Sequence, residues 1–231
     1  MDTQRSAYLL VGSAKRGEES TSAALGGYLL DQLNSRGLAT TSEAVHRALR
    51  TEGRTQEMLA AVDGASVFLL SFPLYVDTTP YLVTQALEAI AQHRAGLAPG
   101  SEEPLFAAIC NCGFPEAHHC ALALEICAQF ARQARLRWAG GLALGAGGAV
   151  NGQRPQAKGM THNVAAALDH APRREIAVLL LVAVEVLAGG LVVDVADHEV
   201  AAAHAVQHGV LDRHGREHQR RVAQRTPRAV G

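Results

Sequence analysis

Ala7-Tyr8-Leu9-Leu10-Val11-Gly12-Ser13-Ala14-Lys15-Arg16-Gly17-Glu18-Glu19-Ser20-Thr21-Ser22 is the stretch from which the rest of the chain is read. Its apolar run from Ala7 to Val11 reads as a buried strand, Gly12 breaks it, and Ser20-Thr21-Ser22 reads as a helix start. A helix N-terminus carries unpaired backbone N–H groups and the positive end of the macrodipole, so it attracts phosphate, and hydroxyls beside it add hydrogen bonds. The glycines do not follow the G-x-G-x-x-G spacing, and there is no G-x-x-x-x-G-K-[ST], so neither a dinucleotide fingerprint nor a P-loop is present here. Ser and Thr also precede ordinary helices, and a plain N-cap fits this segment as well as a phosphate site does.

Outward from this unit the pattern repeats. Leu25, Leu29, Leu30 and Leu33 give Thr21 to Arg36 one buried helical face, with Gly37 placed for a C-terminal cap. Thr40 to Val45 reads as a short strand, and Thr55 to Val62 as a short helix ended by Asp63-Gly64. Ser66-Val67-Phe68-Leu69-Leu70-Ser71 is the near-continuous apolar run of a central parallel strand. Pro80 suits the first turn of a helix that runs to His93 on Leu82, Val83, Ala86, Leu87 and Ile90. Leu105 to Cys110 is a further strand, Ala117 to Arg135 a helix, Trp138 to Leu144 a fifth strand, and Gly159 to Ala171 a last helix after a glycine-rich loop. Such alternation with short connections predicts a parallel sheet covered by helices on both faces. Ligands of such sheets bind at the carboxyl ends of the strands, where Gly12 to Ser22, Phe72 to Thr79 and Asn111 to Glu116 converge.

The composition narrows the class of partner. With 231 residues, 48% of them hydrophobic, the chain can fill one core, and a formal net charge of −1 argues against a nucleic-acid partner held on a basic surface. The Met1-Asp2-Thr3-Gln4-Arg5 start lacks the apolar core of a signal peptide, and the four cysteines, Cys110, Cys112, Cys120 and Cys127, fall in one short segment. A reducing cytoplasm is the expected compartment.

The second loop, Ser71-Phe72-Pro73-Leu74-Tyr75-Val76-Asp77-Thr78-Thr79-Pro80, brings an aromatic and two aliphatic side chains to the surface between two stiffening prolines. Tyr75 there is a candidate stacking platform for a planar ring, and a hydrophobic plug against the next helix is the equal alternative. The third loop, Asn111-Cys112-Gly113-Phe114-Pro115-Glu116, offers Gly113 for close backbone approach and Phe114 as a second apolar wall. A phosphate cradle, a flat hydrophobic wall and a polar rim suit flavin mononucleotide better than a dinucleotide, because no acidic ribose-binding position follows the first loop.

Taken together, these three loops resemble those of the flavodoxin-like NAD(P)H-dependent FMN reductases, in order and spacing, from about Tyr8 to Ala171. Phe72-Pro73-Leu74-Tyr75-Val76-Asp77 is the most specific part of the likeness. The first loop reads Ala14-Lys15 where the family often has Pro-Arg after Gly-Ser. The resemblance implies a three-layer, doubly wound α/β fold with a five-stranded parallel sheet in the order 2-1-3-4-5. It implies that Ser13, Ser20, Thr21 and Ser22, with Lys15, hold the FMN phosphate. Pro73, Leu74, Tyr75 and Val76 on one side, and Asn111, Cys112, Gly113 and Phe114 on the other, would flank the isoalloxazine. The implied activity passes hydride from NADPH or NADH to a flavin, a quinone or a similar small-molecule acceptor, in a homodimer. No catalytic acid or base is demanded, because the flavin carries the chemistry. The alternatives are an FMN-binding electron carrier of flavodoxin type and a flavodoxin-like interaction domain that binds no flavin. Electron carriers of that kind dock through acidic surfaces, which the near-neutral charge disfavours.

Cys112, His118, His119 and Cys120 are metal-capable, but they lack the paired C-x-x-C of structural zinc, and adjacent histidines opening a helix point roughly 100° apart. Helix-start histidines and small buried cysteines are the preferred reading, with no metal site. A thiol nucleophile at Cys112 has no committed base.

Residues 172–231 form an atypical C-terminal extension to the FMN-binding domain of residues 1–171. Ile176 to Val195 is almost wholly Val, Leu, Ala and Ile, and a His- and Arg-rich polar tail follows. Glu185, Gly189-Gly190 and Asp194 argue against a membrane span. The stretch reads instead as a helix to Leu187 and a strand from Leu191 to Val195. The skewed residue usage suits a non-homologous extension or a shifted reading frame, and a disordered tail is the commoner fate of such arginines.

Overall fold

Five parallel strands occur in the predicted order, and a sixth extends the sheet. The computed structural model describes residues 5–15, 20–98, 100–150, 152–156 and 164–165, and the backbone of 193–196. The strands are β1 (Ser6–Val11), β2 (Ala39–Ala44), β3 (Val67–Pro73), β4 (Leu105–Asn111), β5 (Arg137–Leu144) and β6 (Val193–Ala196), arranged 2-1-3-4-5-6. Every neighbouring pair is parallel except β5–β6, in which Leu144 faces Val193 and Gly141 faces Ala196. The sheet is therefore one strand wider than expected, because part of the segment beyond Ala171 pairs with the edge of β5. The helix expected over Gly159 to Ala171 lies outside the described residues except at Val164 and Ala165, which are helical. The helix expected up to Leu187 lies outside them altogether.

Strand alternation sorts the side chains between two layers. Ala7 and Leu9 of β1 meet α1 (Thr21–Asn34), through Leu25, Leu29 and Leu33, and Val164 joins them. Tyr8 and Leu10 face the opposite layer, made by α2 (Val45–Ala48), α3 (Glu52–Asp63), α4 (Tyr81–Ala95) and α5 (Ala121–Gln133). β3 and β4 are buried along nearly their whole length, as central strands covered on both faces must be. The register also aligns one aromatic row across four strands: Tyr8 opposite Phe68, Phe68 opposite Phe106, and Phe106 opposite Trp138. Ring centroids along this row stand 6.1, 5.0 and 5.4 Å apart, and each such pair is worth about 0.5–1.5 kcal/mol beyond its area.

The helix ends follow their caps. Ser20 caps α1 by accepting from Ala23 N–H, and Gly37 takes the left-handed conformation (φ 88°) after its last turn. Thr51 accepts from Arg54 N–H, so α3 begins at Glu52, three residues before the periodicity suggests. Pro80 lies just outside α4 rather than in its first turn, with extended backbone. The helix expected from Ala117 is a 3-10 turn over Ala117–Cys120 before α5 proper begins.

Candidate functional site

Because the strands are parallel, the loops after β1, β3, β4 and β5 all leave the same edge of the sheet, and hydrogen bonds tie them together in sequence. Gly12 N–H at the start of the first loop donates to Ser71 C=O on β3 (2.8 Å). Leu74 N–H in the second loop donates to Asn111 C=O at the start of the third (2.8 Å). Cys112 N–H donates to Leu144 C=O at the end of β5, and Gly147 N–H returns a bond to Cys112 C=O, each 2.8 Å. Thr21 Oγ1 then donates to Gly147 C=O (2.9 Å), which brings the chain of contacts back to α1.

The loop after β5 is thus a fourth member that the three-loop reading leaves out. A Cβ at Gly145 would stand 2.1 Å from Pro115 C=O, so only glycine lets this loop lie against the third. Ala146, in the left-handed conformation at φ 50°, donates its N–H to Phe114 C=O. The run Gly145-Ala146-Gly147-Gly148 is the sequence signal for this loop, although it does not say which backbone comes close.

The hydroxyls of the first loop divide into two groups. Ser13 Oγ accepts from Lys15 N–H (3.2 Å), and Ser20 Oγ holds the cap; both serines are buried, whereas Lys15 is exposed. The first N–H groups of an α-helix have no acceptor within the helix, and of those in the first turn of α1 the Ala23 N–H is taken by Ser20 Oγ. Ser22 differs from the role implied by the resemblance. Its side chain is 1% exposed and its Oγ donates to Asn111 Oδ1 (2.7 Å), so this hydroxyl faces inward. Asn111, 7% exposed, is likewise committed to Ser22 through its side chain.

The second and third loops supply the apolar surface. Tyr75 and Thr78 exchange both backbone hydrogen bonds (3.0 and 3.1 Å) around Val76 and Asp77, which have φ 50° and 59°. This is the two-residue hairpin turn that needs positive φ at both central positions. Tyr75 is 46% exposed, Val76 95% and Phe114 54%, whereas Leu74 packs partly into the core and Pro73 ends β3. A Cβ on Gly113 would meet nothing within 4 Å, so that side of the third loop is open. Phe114 also packs at a tilt against His119 (4.5 Å between centroids), and His119 stacks on His118 (4.4 Å). The two rings meet although a 3-10 turn sets successive residues about 120° apart, so the contact comes from how the side chains bend back and not from the turn itself.

Cys112 is buried, and its thiol donates to Phe114 C=O (3.5 Å) and Glu116 C=O (3.6 Å), stapling its own loop. Burial, with Cys120 next to it, pushes this thiol up to about 12, so it stays protonated at neutral pH and is a poor nucleophile. Cys120 is shifted down by hydrogen bonds from Cys110 and Cys112. Among the described residues no group of three His, Cys, Asp or Glu side chains is arranged to hold a metal ion, and no helix is long and apolar enough to cross a membrane.

No protein-family profile matches the chain, and no curated protein does. Solved structures do. The Trp repressor binding protein from Bacillus subtilis aligns over 73% of this chain and 99% of its own, with a TM-score of 0.53 at 8% identity. The NAD(P)H:quinone oxidoreductase from Methanothermobacter marburgensis aligns over 74% of this chain and 95% of its own, with a TM-score of 0.52 at 12% identity. Likenesses at these identities are likenesses of fold, and with the 2-1-3-4-5 parallel order they establish that the chain has the flavodoxin-like α/β fold.

Proposed function

We propose that the protein is a flavin-dependent NAD(P)H oxidoreductase that holds FMN across the four tied loops, as a member of the flavodoxin-like FMN reductases. The observation that carries this reading is that the N-terminus of α1, at Thr21, stands on the same sheet edge as the half-exposed Tyr75 and Phe114. The residues fit a phosphorylated planar heterocycle. Thr21 and Ser22 N–H groups, the Ser13 and Ser20 region and the Lys15 side chain would hold the phosphate. Pro73, Tyr75 and Val76 would flank the ring from one side and Gly113 and Phe114 from the other, and the open space at Gly113 leaves room for it. The flavin, when bound, supplies the hydride and electron chemistry. The chain's part would be to hold the phosphate at the helix N-terminus and to receive the ring against the Tyr75–Thr78 turn.

The quinone oxidoreductase among the structural neighbours agrees with this reading in fold and in reaction class. Its finer parts are NADPH as donor, a quinone or flavin acceptor, a cytoplasmic location, and a homodimer in which a second copy meets the exposed Tyr75, Val76 and Phe114. The experiment is reconstitution of purified protein with FMN, followed by anaerobic addition of NADPH or NADH. Flavin absorbance that bleaches with nicotinamide supports the enzyme. Bound flavin that does not bleach points to an electron carrier, and failure to retain FMN refutes the reading.

A further inference from the structure

Ser71 lies on a central strand, is fully buried, and touches both ends of the first loop. Its C=O accepts Gly12 N–H where the loop begins, and its Oγ donates to Ser22 C=O (2.8 Å) where the loop has become helix. Ser22 passes the contact on, because its own Oγ donates to Asn111 Oδ1 (2.7 Å) at the end of the neighbouring strand. Helix and sheet approach closely at this level: a Cβ on Gly26 would stand 2.9 Å from Ser71 Cβ. Three buried polar side chains thus fasten the first turn of α1 to β3 and β4. Buried hydrogen bonds of this kind fix geometry because leaving any partner unpaired is costly.

We propose that Ser71, Ser22 and Asn111 are positioning residues which set the span of the first loop, and that they thereby decide the preference for a phosphorylated flavin over riboflavin without their side chains touching the phosphate. The proposal rests on the reading that this loop holds the FMN phosphate. Its logic is local. The groups that would hold the phosphate stand at the two ends of the loop, Ser13 and Lys15 after Gly12 and Ser20 to Ser22 at the helix start, whereas those that would flank the ring stand on the second and third loops. Loss of the Ser71 hydroxyl removes one fastening from the loop and leaves the Tyr75–Thr78 turn and Phe114 as they are. It is also a mild change for the fold, because Ser22 C=O keeps its helical acceptor role toward the residue four positions on.

The test compares FMN and riboflavin dissociation constants, by quenching of flavin fluorescence, in the wild type, Ser71→Ala and Ser22→Ala. Thermal melting monitors folding, and amide hydrogen exchange is followed at 12–15 and 20–24 in the flavin-free protein. The expected result for Ser71→Ala is FMN binding weaker by about three- to tenfold, the range one net hydrogen bond spans, with riboflavin binding changed by less than about twofold. Faster exchange at the first-loop amides should accompany it. Ser22→Ala, which also leaves Asn111 Oδ1 without its donor, should show the same selective loss; if it does not fold, Ser71→Ala alone decides. Equal weakening of both flavins, or no change in either, overturns the proposal. If the wild type binds neither flavin, the functional reading fails together with the ligand preference derived from it. The fastening itself is then judged by exchange in Ser71→Ala, where unchanged rates overturn it.

Discussion

Replacing Arg94 with methionine should destabilise the protein by about 3 kcal/mol while leaving flavin binding unchanged. The guanidinium is 2% exposed and sits where α3, α4 and α5 all end. Its Nε donates to Ala134 C=O (2.7 Å), one terminal nitrogen donates to Glu102 C=O (2.9 Å) and Arg135 C=O (3.2 Å), and the other pairs with Asp63. The negative ends of three helix dipoles and one carboxylate are thus gathered around a single buried cation. Removing one partner of a buried pair costs about 3–5 kcal/mol. The low end applies here because Asp63 is 28% exposed and also bonded to His93 Nε2 (2.7 Å), so its carboxylate can rehydrate when the arginine is gone. At about 2–4 °C per kcal/mol for a domain of this size, the melting temperature should fall by about 6–12 °C. Urea and thermal denaturation of the variant measure this directly, and a double-mutant cycle with Asp63→Asn isolates the pair: Asp63→Asn should destabilise the wild type and be neutral or stabilising beside Arg94→Met. The cluster lies at the strand-start end of the sheet, away from the four loops, so FMN affinity should stay within about twofold. A loss below about 1 kcal/mol, or additive effects of the two substitutions, would refute the assignment of Arg94 as the clasp of the three helix ends.

Adjacent glycines in α1 should behave oppositely. Gly26→Ala places a Cβ 2.8 Å from Leu9 Cδ1 and 2.9 Å from Ser71 Cβ inside the core, and should cost about 1–3 kcal/mol in chemical denaturation. Gly27→Ala meets only the flexible, half-exposed Arg154 guanidinium (1.7 Å), which can swing away, so the helix-propensity gain of up to about 1 kcal/mol should roughly cancel the lost contacts to Ala24 C=O and Asp31. Val76→Asn should raise stability by about 0.5–1 kcal/mol, because a β-branched residue at φ 50° is strained and its 95% exposed side chain gives up no packing; an unchanged or lower urea midpoint counts against that strain. Alkaline pH should destabilise through the thiols. Cys112 is raised from 9.0 to about 12 by burial, so the folded state keeps its proton longer than the unfolded chain. Its contribution is complete below pH 9 and is lost as pH climbs toward 12. The urea midpoint should therefore decline above pH 9, less steeply in Cys112→Ala, and an identical decline in that variant argues against the assignment.

The strands and helices were legible in the sequence because burial on one face or two leaves a period, and Val67 to Leu70 or Leu25 to Leu33 can be read without neighbours, whereas the 2-1-3-4-5 order followed only from the resemblance of the three loops. What could not be read are features whose signal lies in another part of the chain. Val45–Ala48 is too short to show any helical period. Ser20 and Ser22 look alike as letters, yet one caps the helix and the other points into the sheet, a difference set by helical phase together with the position of Asn111 on a strand far away in sequence. Arg94 looks like an ordinary cation at a helix end until the loops around Glu102 and Arg135 are folded against it. Gly145 announces a close approach, but Pro115 C=O, the atom that requires it, is known only once β4 and β5 pair. The loop after β1, where the candidate phosphate site lies, carries the same limit. A hydroxyl-rich helix start signals what it can bind; what fastens that helix start to the neighbouring strands is encoded in Ser71 and Asn111, at strand ends where a buried polar residue signals that a neighbour must be satisfied.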